Sequence, residues 1–255
     1  MPLIEHLLEL RRRLMWAALG VLAGAVGGWF LSEWVIDLLS APILAAGGSE
    51  GTSPAGRLAS LNFPTITSAF DVRLEIAVIV GIVVSSPIWL YQIFAFLTPA
   101  FTRQEKKYVF GFFFSAVPLF LAGCAAGFLV IPHIVALMVS LAVGGASIID
   151  AKSYLDFALR LMLAIGVAFV LPVFLVLLNF AGVISGKAIL KAWRVAVLVI
   201  TLFTAIATPS ADVISMILLA IPMVALYFAA VGVTLAHDRR IAKRNTAALE
   251  DAGSL

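Results

Sequence analysis

The chain has 255 residues, 63% of them hydrophobic and only 12% charged, with a formal net charge of +3. Those proportions, with a strongly positive mean hydropathy, lie far outside the soluble range. They exclude a soluble globular protein and leave an integral membrane protein.

In chain order the first element is HLLELRRRL, residues 6–14. Leu3, Leu7, Leu10 and Leu14 recur at helical spacing and form a narrow apolar stripe suited to the membrane surface or the bundle, while Glu5, Glu9, Arg12 and Arg13 share the polar face. Glu9 has two readings. It is a solvated i, i+4 partner of Arg13, or it is one carboxylate of a site that receives guanidinium groups in a bidentate fork. The run 15–31 predicts helix 1, read as a retained span and not a cleaved leader because polar segments and further spans follow. Its Gly20, Gly24 and Gly28 make two overlapping G-x-x-x-G steps, a face for close packing. In the outer loop, GGSEG at 47–51 matches the G-x-S-x-G nucleophile pattern but lacks the strand-to-helix elbow that chemistry requires, so it carries no hydrolase reading.

Helix 2 is predicted over 72–97 and helix 3 over 108–131, joined by AFTRQEKKY, in which Glu105 stands among Arg103, Lys106 and Lys107. Gly123 and Gly127 give helix 3 its own glycine step, and Cys124, the single cysteine, reads as a small buried side chain. Helix 4 is predicted over 155–178, with Asp156 and Arg160 spaced to pair on one face. Helix 5, 194–207, has only 13 uncharged residues, which reach about 20 Å against a bilayer core of roughly 30 Å. Helix 6, 213–236, is also expected to be short. Pro87, Pro118, Pro172 and Pro222 predict kinks in helices 2, 3, 4 and 6. The expectation is an all-α integral membrane protein with six transmembrane helices in one membrane domain. Residues 1–14 form a cytoplasmic amphipathic segment, 15–236 the bundle and 237–255 a cytoplasmic tail.

Thirteen basic residues fall on one side of these spans: three in 11–13, Arg103, Lys106 and Lys107, Lys187, Lys191 and Arg194, and four in 239–244. The opposite loops carry only Arg57 and Lys152, so the positive-inside rule puts both termini in the cytoplasm. No ionisable residue falls at mid-membrane depth, where an ion-coupled carrier keeps its acids, bases or histidines. Arg73, Glu75, Asp156 and Arg160 cluster at the outer helix ends. His6, His133 and His237 are far apart in sequence and make no metal-ligand spacing. No catalytic constellation, metal or cofactor is expected.

HLLELRRRL, SAPI at 40–43, SSPIWLYQIFAFLTPAFTRQEKKY at 85–108 and ATPSADVISMILLAIPM at 207–223 together resemble the TatC family, the multispanning subunit of the twin-arginine protein translocase. The resemblance runs from about residue 3 to 236. It implies a receptor and scaffold that binds twin-arginine signal peptides of folded precursors on the cytoplasmic face of a bacterial-type cytoplasmic membrane. It further implies cooperation with the single-span partners TatA and TatB, self-association within a complex, and export driven by the proton-motive force. It places the signal-peptide site at Glu9, Arg11, Gln92, Phe96 and Glu105, and structural or assembly roles at Pro42, Phe70 and Asp212, the last as a cap of helix 6. The family's acids late in helix 4 and in helix 6 are replaced here by Val170 and Phe228, and Glu75 stands where a base is expected. The alternative reading is a six-helix small-solute transporter that shares only the layout.

Overall fold

Backbone in hydrocarbon has no water to bond, so each apolar run closes its own hydrogen bonds as a helix. The computed structural model describes residues 3–46, 59–62, 66–97, 106–141, 147–207 and 213–253. Eight helices appear in that part of the chain: α1 Leu3–Ala46, α2 Ile66–Val84, α3 Ser86–Leu97, α4 Lys106–Leu141, α5 Ala151–Phe180, α6 Gly186–Lys191, α7 Trp193–Ala207 and α8 Val213–Gly253. A two-stranded parallel ladder, β1 Ala59–Asn62 on β2 Ser147–Asp150, joins two segments expected as loops. Asp150 then caps α5, its carboxylate accepting from the backbone N–H groups of Lys152 and Ser153. Hydrogen bonds from Ser153 hold that carboxyl below the ordinary aspartate range.

Four helices carry apolar stretches long enough to cross a bilayer: Leu7–Ala41, Gly111–Ala136, Ala151–Phe180 and Val213–Lys243. The pair α2 and α3 makes a fifth if it is one broken span. α7, at 15 residues, reaches only about 22 Å, as expected of helix 5. Helix 6 is not short: the apolar part of α8 runs for 31 residues, because helical hydrogen bonding continues through the charged residues that end the hydropathy run. For the same reason the predicted boundary at residue 14 is not a break, and the basic segment is the first part of α1.

α1 lies antiparallel on α2, and α4 on α5, at glycine notches. A Cβ added to Gly24 would sit 2.7 Å from the carbonyl oxygen of Gly81, and one added to Gly81 would sit 2.5 Å from the backbone nitrogen of Ala25. On the other hairpin, a Cβ on Gly123 would come within 2.8 Å of the Cα of Gly166. The glycine steps of helices 1 and 3 are therefore packing faces, as their spacing predicts. Around them lie two buried clusters, one including Ile76, Ile131, Leu155 and Ile165, the other Leu90, Phe94, Phe120 and Cys124. Tyr154 and Tyr227 tie elements together across the bundle, donating to the carbonyls of Leu39 at 2.8 Å and Ile189 at 2.6 Å.

The bend that matters for the site lies at Ser85, where α2 and α3 meet at 56°. Pro87 stands in the first turn of α3, where a missing N–H and a fixed φ are tolerated. The indole of Trp89 donates to the carbonyl of Ile82 at 2.9 Å, serving the backbone beside the break. Pro118, Pro132, Pro172 and Pro222 lie inside unbroken α4, α5 and α8.

Leucine at position 81 has no room. Gly81→Leu is expected to lower the thermal midpoint of the detergent-purified protein by about 5 °C or more, an overpacking cost of about 1–3 kcal/mol. Gly27→Leu, facing open space, should leave it within about 1 °C; equal midpoints for both variants would contradict the notch.

Candidate functional site

The first turns of α1 meet the end of α3 at one guanidinium. Arg13 donates from two nitrogens to the same oxygen of Glu9, at 2.6 and 3.0 Å, and from its third nitrogen to the side-chain oxygen of Gln92 at 3.5 Å. Both members of the ion pair are about three-quarters buried, with 25% and 29% exposure. The local reading of Glu9 is thus realised, but it is not the whole arrangement, because Arg13 also links α1 to Gln92 seventy-nine residues away. Both bonds to Glu9 use Oε1, so among the described residues its Oε2 accepts no bond.

α3 is held in place by its aromatic face. Phe94 is fully buried and stacks on Phe174 of α5 with centroids 5.1 Å apart, and Trp89 meets Phe120 of α4 edge-on at 5.3 Å. Half-buried Gln92 and Phe96 follow one helical turn apart on this anchored element. Arg11 is exposed on α1, and so are Leu7, Leu10 and Leu14, so the apolar stripe faces away from the bundle. The structure therefore brings Glu9 and Gln92 together through Arg13. Glu105 lies outside the described residues, as does Asp212 with its expected helix cap.

At the other end of the bundle, Phe70 packs edge-on against Trp29 at 5.8 Å. The Arg73 guanidinium lies 5.7 Å from the centre of that tryptophan ring, bonds Ser32 at 3.1 Å and pairs with Glu33. Pro42 lies within α1, its side chain outside the described residues. The expected Asp156–Arg160 pair is present at 3.6 Å, and Glu75 joins it at 3.3 Å, so three charges connect α2 to α5. Of the two positions where the resemblance implied an acid, Val170 is buried beside Phe120 and Leu177, and Phe228 is exposed beside Tyr227.

One polar junction was not anticipated. Asp238 of α8 accepts from Asn179 at 2.9 Å with one oxygen and from the backbone N–H of Gly186 at 2.7 Å with the other. Asn179 also donates to the carbonyl of Ile184, so α5, α6 and α8 are stapled at one point. The signal was available in HDRR at 237–240, an acid among bases like Glu9 and Glu105.

Comparison with known proteins agrees with this geometry. The family model described as "Sec-independent protein translocase protein (TatC)" matches residues 5–222. A Sec-independent protein translocase protein TatC from Xylanimonas cellulosilytica is 43% identical over 97% of this chain and 88% of its own length. Another from Rothia mucilaginosa is 37% identical over 94% and 81%. A crystal structure of the twin-arginine translocase receptor TatC superposes with a TM-score of 0.72 at 28% identity, covering 91% of this chain and 98% of that one. The chain belongs to the TatC family of Sec-independent protein translocase proteins.

Proposed function

We propose that this member of the translocase family is the receptor for twin-arginine signal peptides and the scaffold on which TatA and TatB single-span helices assemble. The observation that carries the reading is the α1–α3 junction. An incoming guanidinium finds Glu9 pre-oriented by Arg13, with Oε2 left to accept it. Gln92 supplies an amide beside it, and Phe96 an aromatic surface for the apolar part of the peptide. Glu105, in the segment that joins α3 to α4, is assigned to the second arginine, and exposed Arg11 to excluding cations that do not match. Basic residues at this end of the bundle put both termini and the site in the cytoplasm. Six crossings follow if α2–α3 is one broken span and α7 spans a thinned bilayer, with further curvature at the inner prolines. Pro42, Phe70 and Asp212 serve the outer end and assembly. The fit of family and junction leaves nothing in favour of the small-solute carrier.

Glu9→Gln and Glu105→Gln are each expected to weaken binding of a twin-arginine peptide at least tenfold at constant salt, since losing one partner of a desolvated charge pair costs about 2–5 kcal/mol. Stability should change by less than about 1 kcal/mol, the scale of a solvent-accessible pair. The double variant should lose less than the sum if both acids grip one arginine pair. Unchanged peptide affinity in both single variants would sink the assignment.

A second expectation concerns assembly. α7 is short and exposes Leu198, Leu202 and Ile206, and α8, which packs on it, exposes Ile217 and Ile221. Mismatch of this kind is relieved when other helices cover it. Cysteines at Leu198 and Ile217 should crosslink to single-span partners in membranes, whereas cysteines at Leu19 and Leu22 on α1 should not; equal yields at all four positions would count against a defined docking wall.

A further inference from the structure

The Asp238 junction leaves a basic mouth beside it. Arg240, Lys243 and His237 of α8 line a cavity of about 520 Å³ that is floored by Phe180 of α5. The imidazole of His237 stacks on Phe180 with centroids 3.6 Å apart. The nearest acid on the helix, Asp238, has both oxygens engaged by Asn179 and Gly186. Among the described residues no carboxylate pairs with Arg240 or Lys243.

The same cavity opens onto an apolar groove. Phe180 and Val233 line both, and from them a second space of about 520 Å³ runs between α4, α5 and α8, walled by small residues such as Gly111, Ser115 and Ala229. A cationic mouth beside an open apolar groove on a membrane bundle is complementary to an anion carrying a hydrocarbon chain. A single acyl chain fits, and a phosphate at its head would meet Arg240 and Lys243.

We propose that this is a binding site for one anionic glycerophospholipid, its phosphate on Arg240 and Lys243 and an acyl chain in the groove between α4, α5 and α8. The position differs from the α1–α3 junction and does not rest on the receptor reading. A cation near a membrane surface contributes about a fivefold gain in affinity for anionic lipid. Two such cations should together give about thirtyfold.

The test is native mass spectrometry of the full chain in detergent, titrated with phosphatidylglycerol or with phosphatidylcholine. One phosphatidylglycerol should be retained and phosphatidylcholine should not. Arg240→Gln with Lys243→Gln should reduce retention about thirtyfold, while Arg239→Gln, which does not line the mouth, should leave it unchanged. Ala229→Trp, which fills the groove without touching a charge, should reduce retention at least tenfold. Thermal midpoints within about 2 °C of the parent show that each variant is folded. Equal retention of the two lipids, full retention in the double variant, no effect of Ala229→Trp, or an adduct with the mass of a peptide would each overturn the proposal.

Discussion

The bundle depends on backbones that touch. Lipid tails are as apolar as leucine, so helices in a membrane gain little from hiding hydrophobic surface and associate through close van der Waals packing instead. In this protein that packing is concentrated where glycine faces glycine, at Gly24 with Gly81 and Gly123 with Gly166. The two hairpins built there, α1 on α2 and α4 on α5, are the most extensively packed helix pairs among the described residues. The ion pairs among the described residues lie toward their ends.

The end that carries Glu9 and Gln92 follows from that geometry. Because α1 is locked to α2, the bend at Ser85 decides where α3 goes, and it carries Gln92 back to the first turns of α1. The stacking of Phe94 on Phe174 then fixes α3 against α5. Glu9 is held by a neighbour on its own helix, and that neighbour reads a second helix through Gln92. A pre-oriented carboxylate costs a ligand less to engage than one that must first be ordered.

The other end is tied by charge. Glu33 with Arg73, Asp71 with Lys152, and Glu75 with Asp156 and Arg160 link α1, α2 and α5. Between the two ends Val170 fills a buried cluster with Phe120 and Leu177 and offers no polar contact.

Much was legible in the sequence. Membrane class, the centres of the helical runs, the glycine faces and the family all follow from composition, hydropathy and short motifs, because each is set by local chemistry repeated along the chain. The Asp156–Arg160 and Glu9–Arg13 pairs are legible for the same reason, since i, i+4 spacing brings side chains together on any helix. Helix ends were not legible. Hydropathy stops at the first charges, but helical hydrogen bonding does not, so α1 and α8 run well past their apolar cores. Nor was it legible which acid among bases joins distant helices directly. Glu9, Glu105 and Asp238 have the same local pattern, and only the fold places Asp238 against Asn179 and Gly186, whereas Oε2 of Glu9 accepts no bond among the described residues. Partners 52 and 79 residues apart are chosen by the packing of whole helices, a long-range property that no window of sequence contains.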